Sequence, residues 1–283
     1  LQEVRQENDR RAADMGRRFG LSVQIRQDGA DFVNESYTGT AMEDEPGIAY
    51  ALDQAEAFLS ALPEGLARET LTLPYKRLSL YLCGAILPKG GEGLRSVVGF
   101  SSHEGAERYI AMDARRYDMG KDLAHEFMHL MEDRLWRVEE GAADGPMAQW
   151  ARLSPPEAEN RGYAYSYREP DGAELYDPAY TAGDPMAGSD PGRVWFVDAY
   201  SRSFPLEDRA RIFEYLFTWD AAAPSLFAYP RLAAKAQVLN AAIRNAFPSV
   251  RAMDQAPWER AVDPISYDQA IRMLKEAEEG GAE

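Results

Sequence analysis

The sequence predicts an α+β fold in which strands and helices mix in the first half of the chain and helices dominate the second half. Three observations indicate it. A charged helical pattern followed by a strand pattern opens the chain over residues 2–25. Further strand patterns lie between residues 78 and 112. Helical spacing then extends over residues 119–136 and returns after residue 205.

The first elements follow from local periodicity. Residues 2–18 are dense in charge and in helix formers, and a glycine ends that pattern. Residues 21–25 alternate between apolar and polar side chains, which is typical of a strand. Apolar residues over 48–62 keep helical spacing until Pro63 stops them. We therefore expect a helix, a strand and an amphipathic helix in this order.

Three strand patterns precede the long helix. Residues 78–87 form a nearly apolar run, a glycine-rich turn follows at 90–93, and residues 97–100 are again apolar. This pattern predicts two strands joined by a turn. The glycines fit no phosphate-binding motif, because no helix follows them. Residues 108–112 predict a third strand, which leads directly into the predicted helix at 119–136.

The second half begins with a change in composition. The stretch 137–192 is rich in Gly, Pro and Tyr and has little periodicity, so we expect a long, partly irregular insert. Helical patterns follow at 205–219, 230–247 and 267–278. We therefore divide the chain into an N-terminal α/β part, residues 1–136, and a mainly helical part, residues 137–283, within one compact unit.

Composition and charge exclude several classes of protein. Of the 283 residues, 45% are hydrophobic and 28% are charged, which is ordinary for a folded globular protein. The net charge of −16 would repel a phosphate backbone, so we expect no nucleic-acid partner. The longest nearly apolar run has 10 residues, whereas a membrane-spanning helix needs about 20. We expect no transmembrane segment.

The single cysteine and the start of the chain bear on the compartment. Cys83 cannot form an internal disulfide and lies in the apolar run, where we expect it to be a small buried side chain. The sequence opens at Leu1 without an initiator Met or an apolar signal core, which we interpret as removal of an upstream segment. We expect an exported protein, extracellular or at the cell surface.

The long helix carries the residues that are most informative about function. His125, Glu126 and His129 form the pattern HExxH, and the chain has only three histidines. On a helix, His125 and His129 differ by about 40° in azimuth and about 6 Å in height, so both imidazoles can reach one ion. The third histidine, His103, is expected in an exposed turn. The motif therefore predicts a divalent metal site.

Opposite faces of this helix have different chemistry. Four acidic residues lie within about 100° of His125: Asp122, Glu126, Glu132 and Asp133. The opposite side is apolar: Leu123, Phe127, Leu130 and Met131. The pattern indicates a polar metal face and a core face. The alternative interpretation is a pair of solvated histidines on an amphipathic helix.

A catalytic zinc needs a third protein ligand and an open position for water. The metzincin pattern would require Gly at position 132 and His or Asp at 135, but this chain has Glu132 and Leu135. The best candidate is Glu207, near the start of a predicted helix, although acidic residues are favoured in any first helical turn. Asp198 and Asp133 are the other candidate ligands.

The motif, together with a Tyr200 that stands seven residues before Glu207, resembles the gluzincin class of zinc metallopeptidases. It is most similar to the catalytic domain of anthrax lethal factor and related secreted bacterial metallopeptidases. The resemblance implies a zincin-like fold with a small mixed β-sheet packed on the HExxH helix. It implies one Zn²⁺ per chain, bound by His125, His129 and Glu207. It also implies that Glu126 is the general base, that Tyr200 stabilises the transition state, and that the substrate is a peptide or protein.

Two features depart from the class. The interval from His129 to Glu207 is longer than in lethal factor, which the Tyr-rich insert accommodates. Arg211 stands where the class often has a second acidic residue. The alternative function is a catalytically silent or latent zincin-fold binding protein that uses the insert as a contact surface. The presence of Glu126 favours catalysis, because a closed structural zinc site needs no base.

The strand pattern at 108–112 has two interpretations. In zincins the strand that precedes the metal helix aligns an extended substrate, and this segment has that position in the sequence. An open edge strand would suit that role, because its free N–H and C=O groups accept another strand. An ordinary internal strand is the other interpretation.

Overall fold

The computed structural model describes residues 2–90, 96–140, 142–155, 162–169 and 171–279, and the chain divides into two units. The first unit is Leu1–Arg134 and the second is Leu135–Glu283. The class is α+β, as predicted, with a small mixed sheet and many helices.

The strands lie in the first unit: β1 Ser22–Gln24, β2 Tyr37–Thr40, β3 Arg77–Cys83, β4 Ala85–Pro88, β5 Gly99–Glu104 and β6 Glu107–Asp113. A four-stranded sheet has the order β1-β3-β6-β5, and β2 pairs with β4 in a separate antiparallel ladder. Within the larger sheet β1, β3 and β6 are parallel, whereas β5 is antiparallel to β6. The sheet is therefore mixed.

The run at 78–87 is not one strand, because Gly84 interrupts it. β3 before Gly84 joins the larger sheet, and β4 after it pairs with β2. The N–H of Gly84 donates to the carbonyl oxygen of Thr40 at 2.7 Å. A Cβ at position 84 would lie 2.7 Å from the carbonyl oxygen of Ala41, so this approach needs a glycine. The prediction of a single strand was wrong for this reason.

The predicted turn and the strand after it are only partly within the described residues. Residues 91–93 of the turn predicted at 90–93 lie outside them. The strand predicted at 97–100 begins at Gly99, as β5. β5 pairs with β6 and not with β4, because the chain reverses at Gly105 (φ 55°), a conformation that suits glycine.

The segment 108–112 is an internal strand. It lies in β6, which pairs with β3 on one side and with β5 on the other. The interpretation of 108–112 as an open edge is therefore wrong. Among the described residues, β5 pairs with β6 alone and is the antiparallel edge of the sheet. His103 lies in β5, exposed, and not in a turn.

The helices of the first unit are α1 Gln2–Phe19, α2 Arg26–Ala30, α3 Glu45–Ala61 and α4 Leu66–Glu69. The long helix, α5 Met119–Val138, begins in the first unit, and its last residues belong to the second. The second unit adds α6 Pro205–Phe217, α7 Pro230–Ala246, α8 Pro248–Arg251 and α9 Tyr267–Glu279. Short 3-10 helices are Trp150–Leu153, Pro191–Arg193, Tyr200–Arg202, Leu226–Ala228 and Pro257–Ala261. The helices predicted near 2–18, 48–62, 119–136, 205–219, 230–247 and 267–278 are confirmed.

The short helix α2 was missed because distant residues stabilise it. Its first residue, Arg26, has φ of 58°, which is unfavourable for a residue with a Cβ. The Arg26 guanidinium donates to both carboxylate oxygens of Glu45, at 2.6 and 2.9 Å, and also contacts Asp9. Asn8 donates to the same Glu45 carboxylate at 2.8 Å. These partners come from α1 and α3, so no local pattern reveals the helix.

The apolar face of α3 is buried, as its helical spacing predicts: Ile48, Leu52, Ala55, Phe58 and Leu59. One cluster consists of Phe32, Cys83, Ile86, Tyr109 and Ala111. Cys83 is a free, fully buried thiol, and burial raises its pKa to about 12, so it stays protonated and unreactive. The predicted core face of α5 is confirmed, since Leu123, Phe127, Leu130 and Met131 are all buried. None of the described helices is both long enough and apolar enough to cross a bilayer.

Candidate metal centre

The two histidines of the motif lie one turn apart on α5, as the sequence predicts. Their ring centroids are 5.0 Å apart, and the ring planes meet at 82°. His125 is buried and His129 is half-buried. Glu126, the next residue after His125, is also half-buried. Both imidazoles and the Glu126 carboxylate therefore lie at least partly out of bulk water.

Contacts within the first unit fix α5 near these histidines. The Gln54 side-chain oxygen accepts a hydrogen bond from the N–H of Met119 at 2.7 Å and so caps the start of the helix. The Arg108 guanidinium, from β6, donates to the carbonyl oxygens of His129 and Leu130 at 3.3 and 3.4 Å. Arg108 also forms an ion pair with Asp133. Asp133, one of the candidate ligands, is thus the partner of an arginine.

Glu207 lies in the first turn of α6, which Pro205 opens. The residue before that proline is Phe204, whose side chain provides no capping hydrogen bond. Glu207 is only 4% exposed, and a buried carboxylate needs hydrogen-bond donors or a cation. The Tyr167 hydroxyl donates to Oε1 of Glu207 at 2.8 Å. Tyr167 comes from the Tyr-rich insert.

Asp208, the next residue, forms the centre of a buried polar cluster. Its Oδ2 accepts from Nζ of Lys235 at 2.6 Å, from the Tyr163 hydroxyl at 2.6 Å and from Nε1 of Trp150 at 3.0 Å. Lys235 also donates to the carbonyl oxygen of Trp195 at 2.6 Å. The side chains of Asp208 and Lys235 are both 0% exposed. Burial lowers the pKa of Lys235, because the charged ammonium group loses its water.

Tyr200 lies in the 3-10 helix Tyr200–Arg202 and is 37% exposed. Its ring stacks on the Tyr167 ring, with centroids 6.0 Å apart and an interplanar angle of 28°. The Arg211 guanidinium lies 4.9 Å from the Tyr200 ring centroid, within the range of a cation–π contact. Tyr200 is therefore held by two neighbours from different parts of the second unit.

Arg211, which departs from the class pattern, pairs with two carboxylates. Its Nε lies 3.3 Å from Oδ2 of Asp198, and its Nη1 donates to Glu214 at 2.7 Å. Burial acts to lower the pKa of Arg211, but the charges of Asp198 and Glu214 hold that pKa above its ordinary value. Asp198, the other candidate ligand, also accepts from the N–H of Ser201 at 2.8 Å. Asp198 thus has its own cation and donor.

Within the described ranges, one set of side chains could together hold a metal ion: His125, His129 and Glu207. Each residue offers one ligand atom, and these atoms all lie within 4.8 Å of one another. These are the three ligands that the resemblance to the gluzincin class implies. Asp198 and Asp133 are not members of this set.

Sequence reasoning missed the residues that contact the two acidic side chains of α6. Tyr163 and Tyr167 donate to Asp208 and Glu207, and Lys235 pairs with Asp208. The repeated tyrosines at 163, 165 and 167 were the available signal. They indicate aromatic packing, but no periodicity reveals which hydroxyl meets which carboxylate.

Comparison with known proteins gives one weak structural match. No known protein family matches the chain, and no curated protein matches it. A solved structure described as a candidate zinc-binding metallo-peptidase from Bacteroides caccae is similar to it, with 13% sequence identity and a TM-score of 0.45. The match covers 99% of this chain and 95% of that one. Similarity at this level assigns no family, so the function has to rest on the chain's own residues.

Proposed function

We propose that this chain is a zinc-dependent peptidase that hydrolyses peptide bonds with a metal-activated water. The observation that carries the proposal is the grouping of one ligand atom each from His125, His129 and Glu207. Two imidazole nitrogens and one carboxylate oxygen are the donor set of catalytic zinc sites that leave a fourth position for water. One Zn²⁺ per chain fits this set.

Zinc, when bound, would lower the pKa of a coordinated water to about 7 and polarise the substrate carbonyl. Glu126 is the proposed general base, because it directly follows a ligand on α5 and its half-buried carboxylate can accept a proton. The same carboxylate would then return the proton to the leaving amine. Tyr200 is the proposed hydrogen-bond donor to the developing oxyanion.

The proposed scaffold is zincin-like, with the mixed sheet packed on α5. The contacts of Arg108 in β6 with the carbonyl oxygens of His129 and Leu130 support this arrangement. A peptide substrate would add to the side of β5, Gly99–Glu104, that pairs with no other described strand, where an edge strand offers backbone donors and acceptors. In this proposal β5, the antiparallel neighbour of β6, aligns the substrate in place of residues 108–112.

The alternative function, a silent binding protein that uses the Tyr-rich insert as a contact surface, explains fewer contacts. Tyr163 is buried, and its hydroxyl donates a hydrogen bond to Asp208. The Tyr167 hydroxyl donates a hydrogen bond to the proposed ligand Glu207. Both tyrosines thus contribute to the surroundings of the proposed metal ligands, which supports a role for this part of the insert in building the site.

Removal of the metal tests the function directly. We expect the zinc-loaded protein to cleave an unfolded protein substrate. Removal of the zinc by a chelator should stop this cleavage, and addition of one zinc per chain should restore it. Mg²⁺ is not expected to restore cleavage, because it prefers oxygen ligands to imidazole. The readout is peptide release, with the metal content of each sample measured in parallel. Cleavage by protein that has been shown to be metal-free would contradict the proposed function.

A further inference from the structure

We propose that Tyr167 is a positioning residue of the metal centre, which holds the Glu207 carboxylate in the orientation that binds zinc. This inference rests on the proposed function, because it assigns a role around the same ligand set. It concerns a residue of the insert that neither the motif nor its resemblance to a known class identifies. Every contact that supports it lies within the second unit.

Tyr167 makes three contacts with the stretch that carries Tyr200 and Glu207. Its hydroxyl donates to Oε1 of Glu207 at 2.8 Å. Its ring stacks on Tyr200, and it packs against Phe204 with a centroid distance of 4.8 Å. Phe204 is the residue immediately before α6. One side chain therefore contacts the proposed ligand, the proposed oxyanion donor and the start of the ligand helix.

The segment that carries Tyr167 is itself tied to the same stretch. The N–H of Ala164 donates to the carbonyl oxygen of Arg202 at 2.8 Å, and Nε of Arg202 donates to the carbonyl oxygen of Gly162 at 3.3 Å. The Tyr163 hydroxyl donates to Asp208 at 2.6 Å. Tyr163 and Tyr167 thus donate hydrogen bonds to two consecutive carboxylates in the first turn of α6, Asp208 and Glu207. This repeated arrangement favours a built support over a single chance contact.

The chemistry of a carboxylate explains what the Tyr167 hydroxyl does. A carboxylate has two oxygens and about four acceptor positions, so a bond to Oε1 leaves acceptor capacity for a metal. The bond is charge-assisted, and it restricts rotation of the Glu207 carboxylate about its terminal torsion. A ligand that is fixed before binding loses less entropy when the metal arrives. Outer partners of metal ligands typically contribute about 10- to 100-fold to metal affinity.

The test compares Tyr167→Phe with Tyr165→Phe in the full chain. Both substitutions remove one hydroxyl and keep the ring. Tyr165 is a matched control because it also packs on Phe204 and is about as exposed, at 48% against 49% for Tyr167. Among the described residues its hydroxyl has no hydrogen-bond partner. Because Tyr167 is half-exposed, loss of its hydroxyl opens no buried cavity, and we expect the variant to fold.

Two measurements report on the metal rather than on turnover. The first is the zinc dissociation constant of the metal-free protein, measured by competition with a chelator. The second is the visible absorption spectrum with Co²⁺, which depends on the ligand geometry. We expect Tyr167→Phe to bind zinc about 10- to 100-fold more weakly and to change the Co²⁺ spectrum. Tyr165→Phe should match the wild type in both.

The outcomes separate this inference from the proposed function. If the wild type binds one zinc and Tyr167→Phe binds it with the same affinity and spectrum, the role of Tyr167 is overturned and the proposed function stands. If both variants weaken zinc binding equally, the effect belongs to the segment as a whole and the role of the Tyr167 hydroxyl is again overturned. If the wild type binds no zinc, both the inference and the proposed function fail.

Discussion

A Glu126→Gln variant is expected to keep one zinc per chain and to lose about 10²- to 10⁴-fold in kcat, the usual contribution of a general base. The amide is nearly isosteric with the carboxylate but cannot accept the proton of the attacking water. Glu126 is not one of the grouped ligands, so the metal should stay bound. Peptide cleavage rates and zinc content, measured on the same preparation, check the prediction.

Glu140→Gln is the matched control for this variant. Glu140 is exposed and lies just after α5, so the same substitution there should leave kcat unchanged. Tyr200→Phe is an informative companion, because loss of one oriented oxyanion donor typically costs about 10²- to 10³-fold in kcat while the ligands remain. A Glu126→Gln protein that cleaves peptides at the wild-type rate would contradict the assignment of the base.

A Lys235→Met variant is expected to lose about 3–5 kcal/mol of unfolding free energy. Lys235 and Asp208 are fully buried with 2.6 Å between Nζ and Oδ2, so removal of the ammonium group leaves a buried carboxylate without its cation. Trp150 and Tyr163 still donate to Asp208, but neither supplies a positive charge. Urea unfolding, followed by a probe in the second unit, measures the loss.

The control is Lys275→Met, the same substitution in the same unit. Lys275 pairs with Asp144 at 3.5 Å, and the two side chains are 53% and 61% exposed. Exposed pairs contribute below about 1 kcal/mol, so this variant should unfold almost as the wild type does. Adding Asp208→Asn to Lys235→Met should recover part of the loss, because it removes the uncompensated charge. Equal losses for the two lysine variants would contradict the account of the buried pair.

The six longer helices, α1, α3, α5, α6, α7 and α9, could be predicted from sequence because their signals are local. The apolar spacing of α5 identified its core face, and the position of His125 and His129 one turn apart followed from helix geometry. Pro205 marks the start of α6 within the sequence itself. Glu207 could be proposed because its distance along the chain from Tyr200 matches a known pattern.

The remaining features depend on contacts between distant residues. Gly84 divides an apolar run because the chain around Ala41 approaches it closely, and the run itself contains no sign of that approach. β6 is internal and β5 lies at the edge because β6 pairs with both β3 and β5. The sequence pattern of 108–112 does not show which strands will pair with it. The hydroxyl of Tyr167 meets a carboxylate 40 residues further along the chain. The resemblance to lethal factor remains a prediction from the motif.

The zinc content of the purified wild type, beside that of His125→Ala and Glu207→Ala, tests the central claim most directly. Each variant removes one of three ligands, and we expect near one zinc per wild-type chain and a large loss of zinc in both variants. The two variants should remain folded by circular dichroism, so that the loss reports on the ligands. A folded Glu207→Ala protein that retains the wild-type amount of zinc would contradict the ligand set on which the proposed function depends.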